Sequence, residues 1–274
     1  MGISITTITE NTANLGLLAE WGLSIFVEVD GVKILFDTGL GISAAHNAHI
    51  LGVDLSSVDK IVLSHGHSDH TGGLRDILRE TGKVEVIAHP DIWEPKYAGT
   101  AAANSFIGIP FQREELESLG ASFNLTREAL SITDKVLTTG EIPMVTEYEE
   151  VDSILLVRED DHMIPDTVAD DLALAIKTEE GLVVIFGCGH RGVINTLIHV
   201  RNLTGEERIN TVIGGIHLFN ASEERLVRTA TGLREMGVQR LGVSHCTGFY
   251  ASAWLSQELG DVFFLNNAGT RVNL

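Results

Sequence analysis

The sequence predicts an α/β (α+β) fold, because short apolar runs alternate with helical patterns and several runs end in histidine. The clearest run, Ile-Val-Leu at 61–63, leads directly into Ser-His-Gly-His at 64–67. A second run at 182–186 leads into Gly-Cys-Gly-His at 187–190. Because α/β scaffolds place their sites at one end of the strands, we expect a single domain over 1–274 with such a site.

The elements predicted before the first histidine run are three strands, a helix and a fourth strand. The first strands alternate apolar and polar residues, as half-buried strands do, and Asp30-Gly31 is a two-residue hairpin turn. Gly52 ends the helix. The predicted bounds are 3–8, 24–29 and 32–36 for these strands, 44–51 for the helix and 58–63 for the fourth strand.

After the first histidine run, a helix at 74–79 and a strand at 84–88 continue the alternation of helices and strands. Residues 91–119 then interrupt this alternation. Aromatic residues are scattered there among Gly, Ala, Asn and Pro, which predicts an inserted excursion over the site. Most of these aromatic residues are expected to pack onto the core, and Phe106 and Tyr97 are candidate substrate contacts.

The carboxyl-terminal half is predicted to contain a second sheet and further helices. Its hairpin turns at Glu179-Glu180-Gly181, and its acidic part contains a predicted edge strand. The predicted strands are 121–125, 130–132, 135–138, 153–157 (the edge strand), 172–177, 182–186, 211–213 and 241–243, and the predicted helices are 194–200 and 225–237.

Composition excludes several classes of partner. The 38 acidic and 19 basic residues give a net charge of −19, which repels phosphate backbones and argues against nucleic acid. No apolar run approaches the ~20 residues of a membrane span, and the first residues lack a signal-peptide pattern. With two cysteines a structural disulfide is not expected, and the predicted location is the cytoplasm.

The run at 64–70 has the composition of a metal site. In an extended loop, side chains two apart point the same way, so His65 and His67 can bind one ion together. Asp69 and His70 lie at the turn into the next helix, where they can reach a second ion. Imidazoles with a carboxylate suit zinc, with iron and manganese as alternatives. The competing interpretation is a polar loop that is rich in histidine.

Further candidates follow other strands. Asp37 ends the strand 32–36 and either caps a turn or hydrogen-bonds and orients the His65 loop. Cys188 and His190 repeat the two-residue spacing, although a free cysteine is also a common buried small hydrophobe. Asp170 or Asp171, before the strand at 172, is a further candidate ligand.

Together these motifs resemble the metallo-β-lactamase superfamily. The branch they resemble is grouped with an archaeal dihydropterin-ribofuranosylaminobenzene phosphate synthase and is often described only as metal-dependent hydrolases. The matching motifs are Phe-Asp-Thr-Gly at 36–39, Leu-Ser-His-Gly-His at 63–67 with Asp69 and His70, Gly-Glu-Ile-Pro at 140–143, Gly-Cys-Gly-His at 187–190, Gly-Gly-Ile-His-Leu at 214–218 and His-Cys-Thr-Gly at 245–248. They span most of the chain.

The resemblance implies a four-layer αββα sandwich and a set of metal ligands. His65 and His67 would bind the first ion with His190 as third ligand, while Asp69 and His70 would bind the second with a later histidine. Cys188 stands where superfamily hydrolases usually have a bridging aspartate. His217 and His245 compete for the last ligand position, and we favour His245 as ligand and His217 as a substrate-facing acid or hydrogen-bond donor.

The expected function is hydrolysis of an ester, lactone, phosphoester or thioester of a small molecule, with phosphorylated substrates included. A bound divalent ion, most simply one of two zinc ions, lowers the pKa of its water from about 15.7 towards 7, and Asp69 is placed to orient the resulting hydroxide. Arg191 either binds a substrate anion or forms a salt bridge, and Asn47 is a further candidate substrate contact. One alternative is a transferase that joins a dihydropterin diphosphate to an arylamine with release of pyrophosphate. The other is a metal or thiol sensor without catalytic activity.

Overall fold

The structure, a computed structural model, describes residues 2–274. Strands and helices follow one another along the whole of this range. The strands are β1 (Ile3–Thr9), β2 (Ser24–Val29), β3 (Val32–Phe36), β4 (Lys60–Val62), β5 (Val84–Ala88), β6 (Lys96–Thr100), β7 (Ala103–Phe106), β8 (Ala121–Leu125), β9 (Leu130–Ser131), β10 (Val136–Thr138), β11 (Leu155–Glu159), β12 (His162–Pro165), β13 (Ala173–Thr178), β14 (Gly181–Phe186), β15 (Ile209–Gly214), β16 (Arg240–Val243), β17 (Phe263–Leu265) and β18 (Arg271–Asn273). The helices are α1 (Ser43–Leu51), α2 (Ser68–Thr71), α3 (Leu74–Thr81), α4 (Arg113–Ser118), α5 (Val193–Thr204), α6 (Glu223–Glu235) and α7 (Phe249–Leu259).

The chain forms two compact units. The first contains the residues up to Thr126 together with Ser153–Asp170 and Asn267–Leu274, and the second contains Arg127–Asp152 and Asp171–Asn266. Each unit has a seven-stranded sheet and its own helices, which confirms the predicted α/β class. The single domain over 1–274 stays a prediction.

The first unit is built on the sheet β18-β1-β2-β3-β4-β5-β8. Its apolar cluster includes Ile61, Leu63 and Leu74, none of which is exposed to solvent. Strands β3 and β4 are parallel neighbours, so the residues that follow them leave the sheet at the same edge. This arrangement brings Asp37 beside the residues that follow β4.

The predicted excursion at 91–119 has more regular structure than the sequence indicated. Strands β6 and β7 form a hairpin that continues into a four-stranded sheet of order β12-β11-β6-β7. Helix α4 also lies within it. The predicted edge strand at 153–157 is therefore wrong in its position, because β11 pairs with β6 on one side and with β12 on the other.

The second unit is built on the sheet β17-β16-β15-β14-β13-β10-β9. Strands β13 and β14 form the predicted antiparallel hairpin, whereas β14, β15 and β16 run parallel. The three loops that follow these parallel strands consequently meet at one sheet edge. The unit has its own core, in which residues such as Leu182, Val184 and Val212 are fully buried.

Four elements of the carboxyl-terminal half were not predicted: β12, α7, β17 and β18. Strand β18 pairs with β1, so the last strand of the chain belongs to the sheet of the first unit. Within residues 2–274, no helix combines the length and the apolar character needed to cross a membrane.

Candidate metal centre

Asp37 holds the start of the loop that follows β4. Its Oδ1 accepts a hydrogen bond from the backbone N of Ser64 at 2.7 Å, and its Oδ2 accepts one from the Ser64 hydroxyl at 2.7 Å. Oδ2 also lies 2.6 Å from Nδ1 of His70, and both of these side chains are fully buried. The predicted orienting role of Asp37 therefore agrees with its contacts, which reach both ends of the histidine run.

These contacts fix the hydrogen positions on two imidazoles. A carboxylate only accepts hydrogen bonds, so the hydrogen of His70 sits on Nδ1 and its Nε2 keeps a lone pair. The Ser64 hydroxyl donates to Asp37 and accepts from Nδ1 of His65 at 2.8 Å, which leaves a lone pair on Nε2 of His65 as well. Both imidazoles are thus prepared as metal ligands through Nε2.

His65 and His67 converge as the sequence predicted. Nε2 of His65 lies 2.9 Å from Nδ1 of His67, and the two rings meet edge to face with centroids 4.5 Å apart. Two nitrogen ligands around a tetrahedral zinc ion, with bonds of about 2.0–2.1 Å, are about 3.3 Å apart. The two nitrogens therefore lie within about 0.4 Å of the separation that a shared zinc ion requires.

The pKa of His67 is lowered to about 3. Burial is the main cause, the charges of Lys96 and His70 act in the same direction, and Asp69 opposes them. His67 is consequently neutral at physiological pH, which is the state that binds a metal ion.

Asp69 is partly exposed and lies beside His70. Its Oδ2 is 4.0 Å from Nε2 of His70 and accepts a hydrogen bond from the indole N of Trp21 at 3.0 Å. Asp69 and His70 thus present a carboxylate oxygen and a ring nitrogen side by side, as the predicted second ion requires. Trp21 is a contact that the sequence gave no reason to single out.

Asp170 contacts Lys96 and the first histidine run. Its Oδ1 lies 2.9 Å from Nζ of Lys96, and its Oδ2 accepts a hydrogen bond from the backbone N of Gly66 at 2.7 Å. Burial raises the pKa of Asp170, and Lys96 opposes this shift. Both oxygens of Asp170 are engaged inside the protein, which indicates a supporting role, and its candidacy as a metal ligand stays a prediction.

The second unit carries a cluster of thiols and imidazoles, which we name the thiol–imidazole cluster. Its members are Cys188, His190, His217, His245 and Cys246. They form two groups that share Cys188, and within each group one donor atom per residue lies within 4.8 Å of the others. One group adds His190 and His217, and the other adds His245 and Cys246. The loops after β14, β15 and β16 supply all five residues.

Cys246 and His217 form a polarised pair in this cluster. Burial alone would raise the pKa of Cys246, but hydrogen bonds to Cys188 and His217 and the charges of His245 and His217 bring it well below its usual value. Burial alone would lower the pKa of His217, and the bond to Cys246 instead raises it. The two shifts share a cause, since each side chain favours the charged form of the other. A raised pKa also suits the acid role predicted for His217, which stays a prediction.

Arg191 and Asp171 contact each other in the second unit. The backbone N of Arg191 donates to Oδ2 of Asp171 at 3.0 Å, and Nε of Arg191 donates to the carbonyl of Ile142 at 2.6 Å. These bonds tie Arg191 to the Gly-Glu-Ile-Pro motif at 140–143. A ligand role for Asp171 and an anion contact for Arg191 stay predictions.

The predicted substrate contact at Asn47 is wrong. Asn47 is fully buried, and its amide group accepts from the backbone N of Leu18 and donates to the carbonyls of Ile8 and Leu18. Its role is to fasten the loop after β1 to α1. Phe106 is 52% exposed and meets Tyr97 edge to face with ring centroids 5.5 Å apart, so it stays a candidate substrate contact.

These features define an α/β protein whose buried imidazoles and carboxylates are arranged for divalent metal ions. The family profile described as "Metallo-beta-lactamase superfamily" matches residues 22–209. The chain belongs to this superfamily, and membership supports an enzyme that uses divalent metal.

Relatives and solved structures agree with this assignment. The chain is 34% identical to the 7,8-dihydropterin-6-methyl-4-(beta-D-ribofuranosyl)-aminobenzene-5'-phosphate synthase of Methanocaldococcus jannaschii, over 97% of this chain and 95% of that protein. It superposes with a TM-score of 0.87 and 27% identity on "Tm1679, a metal-dependent hydrolase of the beta-lactamase superfamily", covering 98% of both chains. Zn(2+)-bound PqqB from Methylobacterium extorquens shares the fold, with a TM-score of 0.60, 12% identity and coverage of 99% of this chain and 100% of that one. The predicted metallo-β-lactamase fold is thereby confirmed.

Proposed function

We propose that this protein is a metal-dependent hydrolase that cleaves an ester, lactone, phosphoester or thioester of a small molecule. The observation that carries the proposal is the convergence of Nε2 of His65 and Nδ1 of His67 at 2.9 Å, with the hydrogen of His65 held away on Nδ1. A bound divalent ion would supply an acidified water and positive charge beside the reacting oxygen.

The residues of this chain would divide the remaining tasks. His65 and His67 would hold the first ion, His70 and Asp69 would hold the second, and Asp69 would also orient the attacking water. Asp37 keeps His70 in the tautomer that binds metal. The family resemblance also implies His190 and His245 as ligands, and this part of the ligand set stays a prediction. His217, with its raised pKa, is the candidate donor of a proton to the leaving group.

The similarity to the archaeal synthase favours a second candidate function. That relative is 34% identical over nearly the whole chain, and its name describes a synthase. In this case the protein would join the dihydropterin group of a dihydropterin diphosphate to the nitrogen or ring of an arylamine, with pyrophosphate as the leaving group. The metal ions would bind the diphosphate, and no water would attack.

Metal counting and two activity assays separate these functions. Protein purified without chelator is analysed by elemental mass spectrometry and then assayed with chromogenic esters, phosphoesters and lactones. The second assay follows pyrophosphate release from a pterin diphosphate and an arylamine. Bound metal with hydrolysis supports the first proposal, whereas metal-dependent pyrophosphate release without hydrolysis replaces it with the second. Bound metal without either activity favours a sensor.

The His67→Ala variant tests the ligand assignment. We expect it to lose metal and activity together, because it removes a nitrogen that faces the shared ion. His162→Ala is the matched control, since His162 is an exposed residue of β12. Full metal content and full rate in His67→Ala would contradict the assignment.

A further inference from the structure

Lys96 is a fully buried lysine held between two carboxylates. It opens β6, and its side chain has no exposure to solvent. Its Nζ lies 2.9 Å from Oδ2 of Asp166 and 2.9 Å from Oδ1 of Asp170. Lysine is almost never fully buried without such partners, because the charge must be compensated inside the protein. One cation and two carboxylates therefore form a closed ionic group in the first unit.

The second oxygen of Asp170 connects this ionic group to the histidine run. It accepts a hydrogen bond from the backbone N of Gly66 at 2.7 Å, and Gly66 is the residue between His65 and His67. A Cβ at Gly66 would lie 2.4 Å from the carbonyl oxygen of Ile92. The peptide between the two histidines is thus held by Asp170 and enclosed by Ile92.

The backbone of Lys96 reaches the other side of His67. The carbonyl of Lys96 accepts from the backbone N of Ile107 at 2.9 Å, and the carbonyl of Ile107 accepts from the backbone N of Ser68 at 2.7 Å. The residues on both sides of His67 are therefore connected to Lys96. The side chain of Lys96 reaches Gly66 through Asp170, and the main chain of Lys96 reaches Ser68 through Ile107.

The segment that carries the two carboxylates is itself held in an uncommon conformation. Val168 has φ of +45° and is fully buried, and its backbone N donates to Oδ1 of Asp166 at 2.7 Å. A β-branched residue at positive φ is strained and persists only where its surroundings impose it. The strain is consistent with a segment shaped to present Asp166 and Asp170 to one ammonium group.

We propose that Asp170 and Lys96 are positioning residues for the first metal ion. Asp170 fixes the Gly66 peptide so that His65 and His67 converge, and Lys96 fixes Asp170. This inference rests on the proposed metal-dependent function. The proposed role of both residues is indirect, through the bond from Asp170 to Gly66 and the bond from Lys96 to Asp170.

The test compares Asp170→Asn with Asp166→Asn. Both variants remove one carboxylate charge from Lys96 and keep the side-chain shape, but only Asp170 contacts Gly66. Each protein is titrated with Co²⁺, whose absorption spectrum reports ligand geometry, and with Zn²⁺ against a chromophoric chelator. Circular dichroism and thermal melts establish that each variant is folded.

We expect Asp170→Asn to bind the first ion about 10- to 100-fold more weakly and to alter the Co²⁺ spectrum. Asp166→Asn should keep an affinity and a spectrum close to those of the wild type. Lys96→Met should weaken binding in the wild type and have no further effect in the Asp170→Asn background, because it acts through Asp170.

Several outcomes would overturn the inference. Equal metal binding by Asp170→Asn and wild type would do so, and so would equal losses in Asp170→Asn and Asp166→Asn, which indicate a general effect on stability. If Asp170→Asn does not fold, hydrogen exchange of backbone amides in the metal-free wild type tests the inference instead. Rapid exchange of the Gly66 amide would contradict its hydrogen bond to Asp170. A wild type that binds no Co²⁺ or Zn²⁺ contradicts the proposed function itself, and with it this inference.

Discussion

Asp37→Asn separates the orientation of the metal ligands from the folding of the chain. Asp37 has φ of +60°, a conformation that asparagine also adopts without difficulty. Asparagine keeps the shape of the side chain but replaces one carboxylate oxygen with an NH₂ group. Since both oxygens of Asp37 accept hydrogen bonds, this NH₂ group must face a donor.

The consequence falls on His70. If the amide oxygen still accepts from the backbone N of Ser64, the NH₂ group faces Nδ1 of His70. This nitrogen carries a hydrogen in the wild type, so two donors would face each other. His70 avoids this conflict by moving its hydrogen to Nε2, and the lone pair offered to the metal is lost. Removal of such an orienting carboxylate costs 10- to 100-fold in metal affinity, or about 1.4–2.7 kcal/mol.

The assay is Zn²⁺ affinity by competition with a chromophoric chelator, together with ion counts by elemental mass spectrometry. Nitrogen NMR of the metal-free protein reports which ring nitrogen of His70 carries the hydrogen. Asp59→Asn is the matched control. Asp59 is exposed, and the hydrogen bond described for its carboxylate comes from the backbone N of Lys33. An Asp37→Asn protein with wild-type affinity, or with the hydrogen still on Nδ1, would refute the reasoning.

Three further perturbations test other parts of the site. Gly66→Ala should destabilise the protein by about 1–3 kcal/mol in chemical unfolding and weaken metal binding, because its Cβ would lie 2.4 Å from the Ile92 carbonyl; unchanged stability would contradict this packing. Cys188→Ala should lower metal affinity or stoichiometry, because Cys188 belongs to both groups of the thiol–imidazole cluster, and unchanged binding would identify it as a packing residue. Because the pKa of His67 falls to about 3 on folding, its neutral form contributes stability that is complete above pH 6.5 and is lost as the pH falls towards 3. Unfolding of metal-free wild type and His67→Gln across this range should differ in slope by up to about 1.4 kcal/mol per pH unit, and parallel curves would exclude the effect.

Much of the first unit's site was predictable from local pattern. The run at 64–70 follows a buried strand, and two-residue spacing is enough to bring His65 and His67 together. Asp37 was predictable for a similar reason, since strands β3 and β4 are parallel neighbours and release their following residues at one edge. These inferences depend on strand geometry alone.

Contacts that depend on distant pairing were not predictable. Lys96 lies 70 residues from Asp166 and 74 from Asp170, and a single lysine in a polar stretch carries no signal of burial. The same limit explains Asn47, whose position on a short helix beside the site suggested a substrate contact. Only the tertiary structure shows that the Asn47 amide group forms hydrogen bonds with the backbone of Ile8 and Leu18.

Two of the elements that were not predicted, α7 and β18, lack a clear pattern in the local sequence. Helix α7 begins directly after the Gly248 turn, and its exposed Phe249 and Tyr250 disguise the usual amphipathic pattern. Strand β18 is three residues long and pairs with β1, at the opposite end of the sequence. Such short strands are defined by their partner, and a partner about 265 residues away leaves no trace in local sequence.

Asp37, His217 and His245 share one backbone property, since all three are non-glycine residues at positive φ, of 60°, 42° and 54°. Such a conformation costs up to about 1–3 kcal/mol per residue, towards the lower end for aspartate and histidine, beside a net stability of about 5–15 kcal/mol. Glycine at any of these positions would relieve the strain and remove the functional group. Selection for thermal stability alone would therefore favour glycine at positions 217 and 245 more than at Asp37, whose buried hydrogen bonds hold the histidine run, and heat-resistant variants would lose groups proposed here for metal binding and proton donation.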